Sequence, residues 1–79
     1  MPLTRLERKG KLQTLVESEG YESVQNMLEA AVHDSVVPSI CTIPGCDYTT
    51  GMEPDQNRGY CEACGKQTVQ SCLVLAGII

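Results

Sequence analysis

Four of the chain's five cysteines stand in two pairs, CTIPGC (Cys41 and Cys46) and CEACG (Cys61 and Cys64), with 14 residues between them. This spacing constrains the fold more than any other feature. Each pair brackets a tight turn. Pro44-Gly45 lies inside the first, and Gly65 follows the second, where a residue without Cβ lets the chain reverse freely. Two such knuckles brought together offer four thiolates to one ion. At about 2.3 Å from each sulfur, a tetrahedral Zn²⁺ would have no open position, which makes it a structural metal and not a catalytic one.

The alternatives depend on compartment. The first residues, MPLTRLERKGK, carry charges where a secretion signal needs an apolar run. A cytosolic location is therefore expected, and there thiols stay reduced and regularly spaced cysteines serve as metal ligands more often than as disulfides. The odd count fits four ligands and a spare, Cys72. Iron in a rubredoxin-like four-cysteine site is the second reading, and a redox or disulfide role the third. A thioredoxin-type role for CEAC would need a buried strand before it in a βαβ unit, and no such strand is legible.

Size makes a staple necessary. A chain of 79 residues without Phe or Trp is one small domain. Such a domain buries only about 60% of the surface its unfolded chain exposes, too little for a single core to hold it alone.

Around the cysteines the sequence divides into three segments. Residues 1–37 read as a helical hairpin. Thr4 and Glu7 have the capping-box spacing, Leu12, Leu15 and Val16 form an apolar stripe, and Gly20 can close the helix in the left-handed conformation. Ser23 can cap a second helix, in which Val24, Met27, Leu28, Ala31 and Val32 share one face and which ends before Pro38. Residues 38–67 hold the two knuckles. Between them, Asp47–Thr50 and Tyr60 favour strands and Pro54–Gly59 is turn chemistry, so a β-hairpin is expected to bring the pairs together. In residues 68–79, Thr68 can cap a short apolar helix with Val69, Cys72, Leu73 and Ala76 on one face and a stop at Gly77-Ile78, with a strand as the second reading. That helix is expected to pack on Val24, Met27, Leu28 and Val32. The competing expectation leaves Leu75, Ile78 and Ile79 exposed as a docking patch for a partner or a second copy. The apolar run is too short to span a bilayer. His33 is expected on the surface near a helix end, favoured by the dipole there.

Charge is uneven. Residues 1–12 carry Arg5, Arg8, Lys9 and Lys11 against one acid, while residues 13–34 carry five acids and no Lys or Arg. The four cations read as a solvated helix face, with a nucleic-acid arm as the alternative. The acidic second helix offers nothing to phosphates or guanines.

The pairs CTIPGC and CEACG, joined by a hairpin, resemble the zinc-ribbon and treble-clef group of small modules. The chain is also similar to short zinc-ribbon proteins of bacteria and their phages. The resemblance implies a metal-held scaffold that contacts transcription or translation machinery, nucleic acid or another protein, and with the helices on either side the expected fold is a small α+β zinc-ribbon-like domain. In the intervening segment Arg58 stands almost alone as a cation, which favours a protein partner over nucleic acid. No paired carboxylates, Ser/His/Asp set or phosphate-cradling glycine loop is present, so no enzyme is expected. The expectation is a non-enzymatic zinc-binding adaptor or regulator, with Cys41, Cys46, Cys61 and Cys64 as ligands and a nucleic-acid-binding regulator as the alternative.

Overall fold

The computed structural model describes residues 4–78. Its order is α1 (Arg5–Glu19), α2 (Val24–Ala31), β1 (Val37–Cys41), β2 (Thr49–Met52), β3 (Gly59–Cys61), β4 (Lys66–Ser71) and α3 (Cys72–Leu75). The fold is α+β, with one four-stranded antiparallel sheet.

Local chemistry sets the helix ends. The Thr4 hydroxyl accepts the Glu7 N–H at 3.2 Å, and the Glu7 carboxylate accepts the Thr4 N–H at 2.9 Å. Two otherwise orphan donors are thus satisfied at the start of α1. That second bond also holds the Glu7 carboxyl below the usual carboxylate range. Gly20, at φ 78, ends the helix, and its N–H returns to the Val16 carbonyl. The Ser23 hydroxyl accepts the Asn26 N–H at 3.1 Å to open α2.

The sheet order is β2-β1-β4-β3. The hairpin expected between the cysteine pairs is therefore not formed, because β2 and β3 lie on opposite edges of the sheet. Two other hairpins replace it: β2 folds back on β1, with Val37 opposite Met52, and β4 folds back on β3, with Cys61 opposite Lys66. The two hairpins join where β1 meets β4, with Cys41 opposite Val69. The segment between β2 and β3 crosses the sheet end instead of turning tightly. Its anchor is Ser71, whose N–H donates to the Gln56 carbonyl at 3.0 Å and whose hydroxyl donates to the Pro54 carbonyl at 2.5 Å.

Pro38 sits inside a central strand, where a missing N–H ordinarily breaks the ladder. Register explains it. The Cys41 N–H donates to Tyr48 on the β2 side and the Thr42 N–H to Thr68 on the β4 side, so even-numbered amides of β1 face β4. Pairing with β4 begins only at Ser39 opposite Ser71. Pro38 lies beyond it and lacks a donor where none is required.

The C-terminal helix is also shorter than the sequence suggests. Residues 66–71 form β4, and the helix is confined to Cys72–Leu75. Its cap is Ser71, whose hydroxyl accepts the Val74 N–H at 3.2 Å, and not Thr68. Central sheet pairing overrides the helical spacing of Val69 and Cys72. Gly77, at φ 76, makes the stop, with the Ile78 N–H returning to the Leu73 carbonyl.

Two apolar clusters result. The larger one packs Leu12, Leu15 and Val16 of α1 with Met27, Ile40 and Leu73. Cys72 and Leu75 lie in the same cluster, so Leu75 is buried and does not project from the surface as an exposed patch would require. Ile78 is exposed, Ile79 lies outside the described residues, and Val32 projects to solvent instead of joining the core. The smaller cluster is Cys41, Cys61 and Val69, with Ile43, Tyr48 and Met52 around it. Among the described residues no helix is long and apolar enough to cross a membrane.

The buried faces of α1 and α2 rest on β1 and α3, and helices of this length are marginal alone in water. A peptide of residues 1–38 is therefore expected to show little helix by circular dichroism. A cooperative thermal melt of that peptide would contradict this packing.

Candidate metal centre

The two knuckles leave the sheet at the same end. Cys41 closes β1 and Cys61 closes β3, with β4 between these strands. In the first knuckle the Cys46 N–H turns back to the Ile43 carbonyl at 3.0 Å, through Gly45 at φ 85. In the second, the Gly65 N–H reaches the Cys61 carbonyl at 2.7 Å with Gly65 at φ 69. Both glycines occupy the left-handed region, where a Cβ is costly.

These turns aim all four sulfurs at one point. The Sγ atoms of Cys41, Cys46, Cys61 and Cys64 lie within 4.8 Å of one another, with Cys41 and Cys61 buried and the other two half-buried. Two separations cross between knuckles at 3.8 Å from Cys41 to Cys64 and 3.7 Å from Cys46 to Cys61. A tetrahedron of sulfurs about 2.3 Å from its centre has edges of about 3.8 Å. All five cysteines are free thiols. The four clustered ones could hold a metal ion, and their spacing suits tetrahedral sulfur coordination.

Sulfurs this close perturb one another's protonation. The Cys64 thiol is pushed up to about 12, first by its contact with Cys46, then by burial and by Cys41 and Cys61. Burial also pushes the Cys61 thiol up. Burial acts the same way on Cys41, but hydrogen bonds from the Thr68 hydroxyl and the Ile43 backbone outweigh it and bring the thiol down to about 7. Without a cation, four adjacent thiolates repel. A divalent ion reverses that balance and deprotonates its ligands.

Two residues around the sulfurs escape the sequence reading. Thr68, expected as a helix cap, places its hydroxyl 3.1 Å from the Cys41 sulfur, while the Thr68 carbonyl accepts the Thr42 hydroxyl at 2.7 Å. Lys11 departs further from expectation. It was expected on a solvated face, yet it is only 8% exposed, and its Nζ donates to the Ile43 carbonyl at 2.7 Å and the Cys46 carbonyl at 2.5 Å. A signal for it existed, since Lys11 lies four residues before Leu15 and one before Leu12, on the buried face of α1. Its ammonium thus clamps the first knuckle from behind.

Two expected exclusions can be placed. Cys72 lies in the larger apolar cluster, outside the group of four, and burial pushes its thiol up. His33 is exposed just past α2 and does not join the sulfurs.

No protein family, curated protein or solved structure matches the chain.

Proposed function

We propose that the chain is a zinc-held, non-enzymatic adaptor that presents a protein-binding surface. The observation that carries this reading is the sulfur spacing: cross-knuckle separations of 3.7 and 3.8 Å fit a closed tetrahedral site. Cys41, Cys46, Cys61 and Cys64 would hold Zn²⁺, which would supply folding energy and neutralise thiolate charge. With four protein ligands no position is left for substrate or water. Two knuckles, each on its own hairpin, support a zinc-ribbon-like classification, and free thiols suit a cytosolic setting. Tyr60, 56% exposed on β3 beside the second knuckle, supplies an aromatic of the kind enriched at protein interfaces. From the resemblance of the cysteine motifs, the partner class is a component of the transcription or translation machinery.

Titration with Co²⁺ tests the site. Four thiolates around tetrahedral Co²⁺ give strong charge-transfer and visible absorption, which Zn²⁺ should abolish at one equivalent. Iron retained in place of zinc in freshly purified protein would favour the rubredoxin-like reading. Because metal uptake must expel the proton held by Cys64, at up to about 12 in the free thiol, affinity falls as pH falls.

Charge argues against the nucleic-acid alternative. Four thiolates subtract four and one Zn²⁺ adds two, taking the formal charge from -4 to -6. With Lys11 buried against carbonyls, Arg5, Arg8 and Lys9 are the cations left exposed on α1. Duplex DNA and RNA are therefore expected to bind no tighter than about 10⁻⁴–10⁻⁶ M at physiological salt, the range of non-specific association. Fluorescence anisotropy across salt concentrations checks this. Nanomolar affinity that weakens steeply with salt and is lost in Arg5→Glu/Arg8→Glu would establish a nucleic-acid regulator instead.

A further inference from the structure

The helical layer carries two depressions, one on either side of Leu28. The first, of about 400 Å³, has an apolar floor that includes Leu12, Val24 and Leu75 and an edge of Arg5, Arg8 and Lys9. The second, of about 170 Å³, is lined by Glu29 together with Val32 and Ile78. Val32 and Ile78 are each 52% exposed, large branched side chains with no place in the core. The Glu29 carboxylate is steadied by the Gln25 side-chain amide at 3.0 Å. Leu28 lines both depressions, so they form one continuous face.

That face carries its own complement. It has a basic-edged apolar groove on one side of Leu28, and the half-exposed Val32 and Ile78 beside an acid on the other. A two-fold dimer demands this property, because each copy presents the same patch and every feature must find its opposite within it. We infer that two copies of the chain pair through this face, with Val32 and Ile78 of each copy entering the groove of the other and Glu29 meeting the basic edge at Arg8. Rotation about an axis near Leu28 makes both contacts twice. Burying these half-exposed side chains removes apolar surface from water, and the charge pairs fix the register and exclude other docking modes. The sheet edge with Tyr60 and the metal centre is not used, so the dimer stands independently of the metal reading and of the adaptor's own partner.

Sedimentation velocity on the purified, metal-loaded full chain tests the inference. Arg8 and Glu29 are exposed, so reversing either should leave the circular dichroism spectrum unchanged. The wild type is expected to be a dimer at micromolar concentrations. Arg8→Glu and Glu29→Arg should each weaken dimerisation by about tenfold or more, because like charges then face each other twice. The combined Arg8→Glu/Glu29→Arg chain should recover the wild-type association, and Ile78→Asp should be monomeric. A monomeric wild type at hundreds of micromolar overturns the inference. So does a dimer indifferent to the single reversals, or a loss that the double reversal fails to restore.

Discussion

Serine in place of Cys64 is expected to abolish stoichiometric metal binding and to unfold the sheet, whereas serine in place of Cys72 should leave both intact. The contrast follows from where the two sulfurs lie. Cys64 belongs to the group of four within 4.8 Å, and Cys72 to the separate cluster with Leu15 and Met27. Structural zinc in small modules contributes about 10–16 kcal/mol of apparent binding energy that is also folding energy. A domain has only about 5–15 kcal/mol of net stability, so losing that contribution exceeds what the rest of the fold can offset. The smaller cluster is centred on Cys41 and Cys61 themselves, so metal loss also removes what ties the ends of β1 and β3 together across β4. At Cys72 the change buries a hydroxyl in an apolar site, a cost of about 1–3 kcal/mol with no metal involved. Metal content by mass spectrometry and amide dispersion by NMR decide the matter. Full zinc occupancy in Cys64→Ser, or its loss in Cys72→Ser, would overturn the ligand assignment.

The parts legible in the sequence are those decided within a few residues. The caps at Thr4 and Ser23 and the stops at Gly20 and Gly77 depend on the nearest turn of chain, and the structure holds each of them. The two knuckles are legible for the same reason, since Gly45 and Gly65 close each turn locally. The strand order was not. Asp47–Thr50 and Tyr60 look like partners because they flank one turn-rich segment, but nothing in that segment discloses that Ser71 will capture Pro54 and Gln56 and draw it across the sheet. The helical spacing over residues 68–71 conceals the end of β4 for a related reason. Val69, Cys72, Leu73 and Ala76 fit a helical period, and a strand-to-helix junction at Ser71 divides them between α3 and β4, whose partner β1 lies about thirty residues away. Pro38 disguised β1, because the ladder side on which it lacks a donor is known only once β4 is in place. Non-local pairing decided each case, and it leaves no periodic trace in a chain this short.

Lys11→Met is expected to weaken zinc binding by about 10–100-fold while leaving the helices in place, the range found when a residue supporting a metal ligand is removed. Methionine keeps the length of the stem and so preserves the packing beside Leu12 and Leu15, but it removes every donor. The Ile43 and Cys46 carbonyls then lose the ammonium that each accepts, at 2.7 and 2.5 Å, in a site that admits little water around a residue 8% exposed. An acceptor stripped of its partner costs about 1–3 kcal/mol, and one of these two belongs to Cys46, one of the four clustered cysteines. The first knuckle encloses four residues between its cysteines and so has more freedom to lose than the second. An external clamp compensates for that width by fixing the backbone on both sides of Pro44-Gly45 before metal arrives. The buried ammonium also sets one positive charge beside a centre whose four thiolates leave it doubly negative with Zn²⁺ bound. Lys9→Met serves as control, since it removes the same charge from an exposed position on the same helix and should leave affinity unchanged. Competition against a chromophoric chelator measures both variants. Equal weakening in the two would assign the effect to net charge, and wild-type affinity in Lys11→Met would show that the knuckle is shaped by its own turn alone.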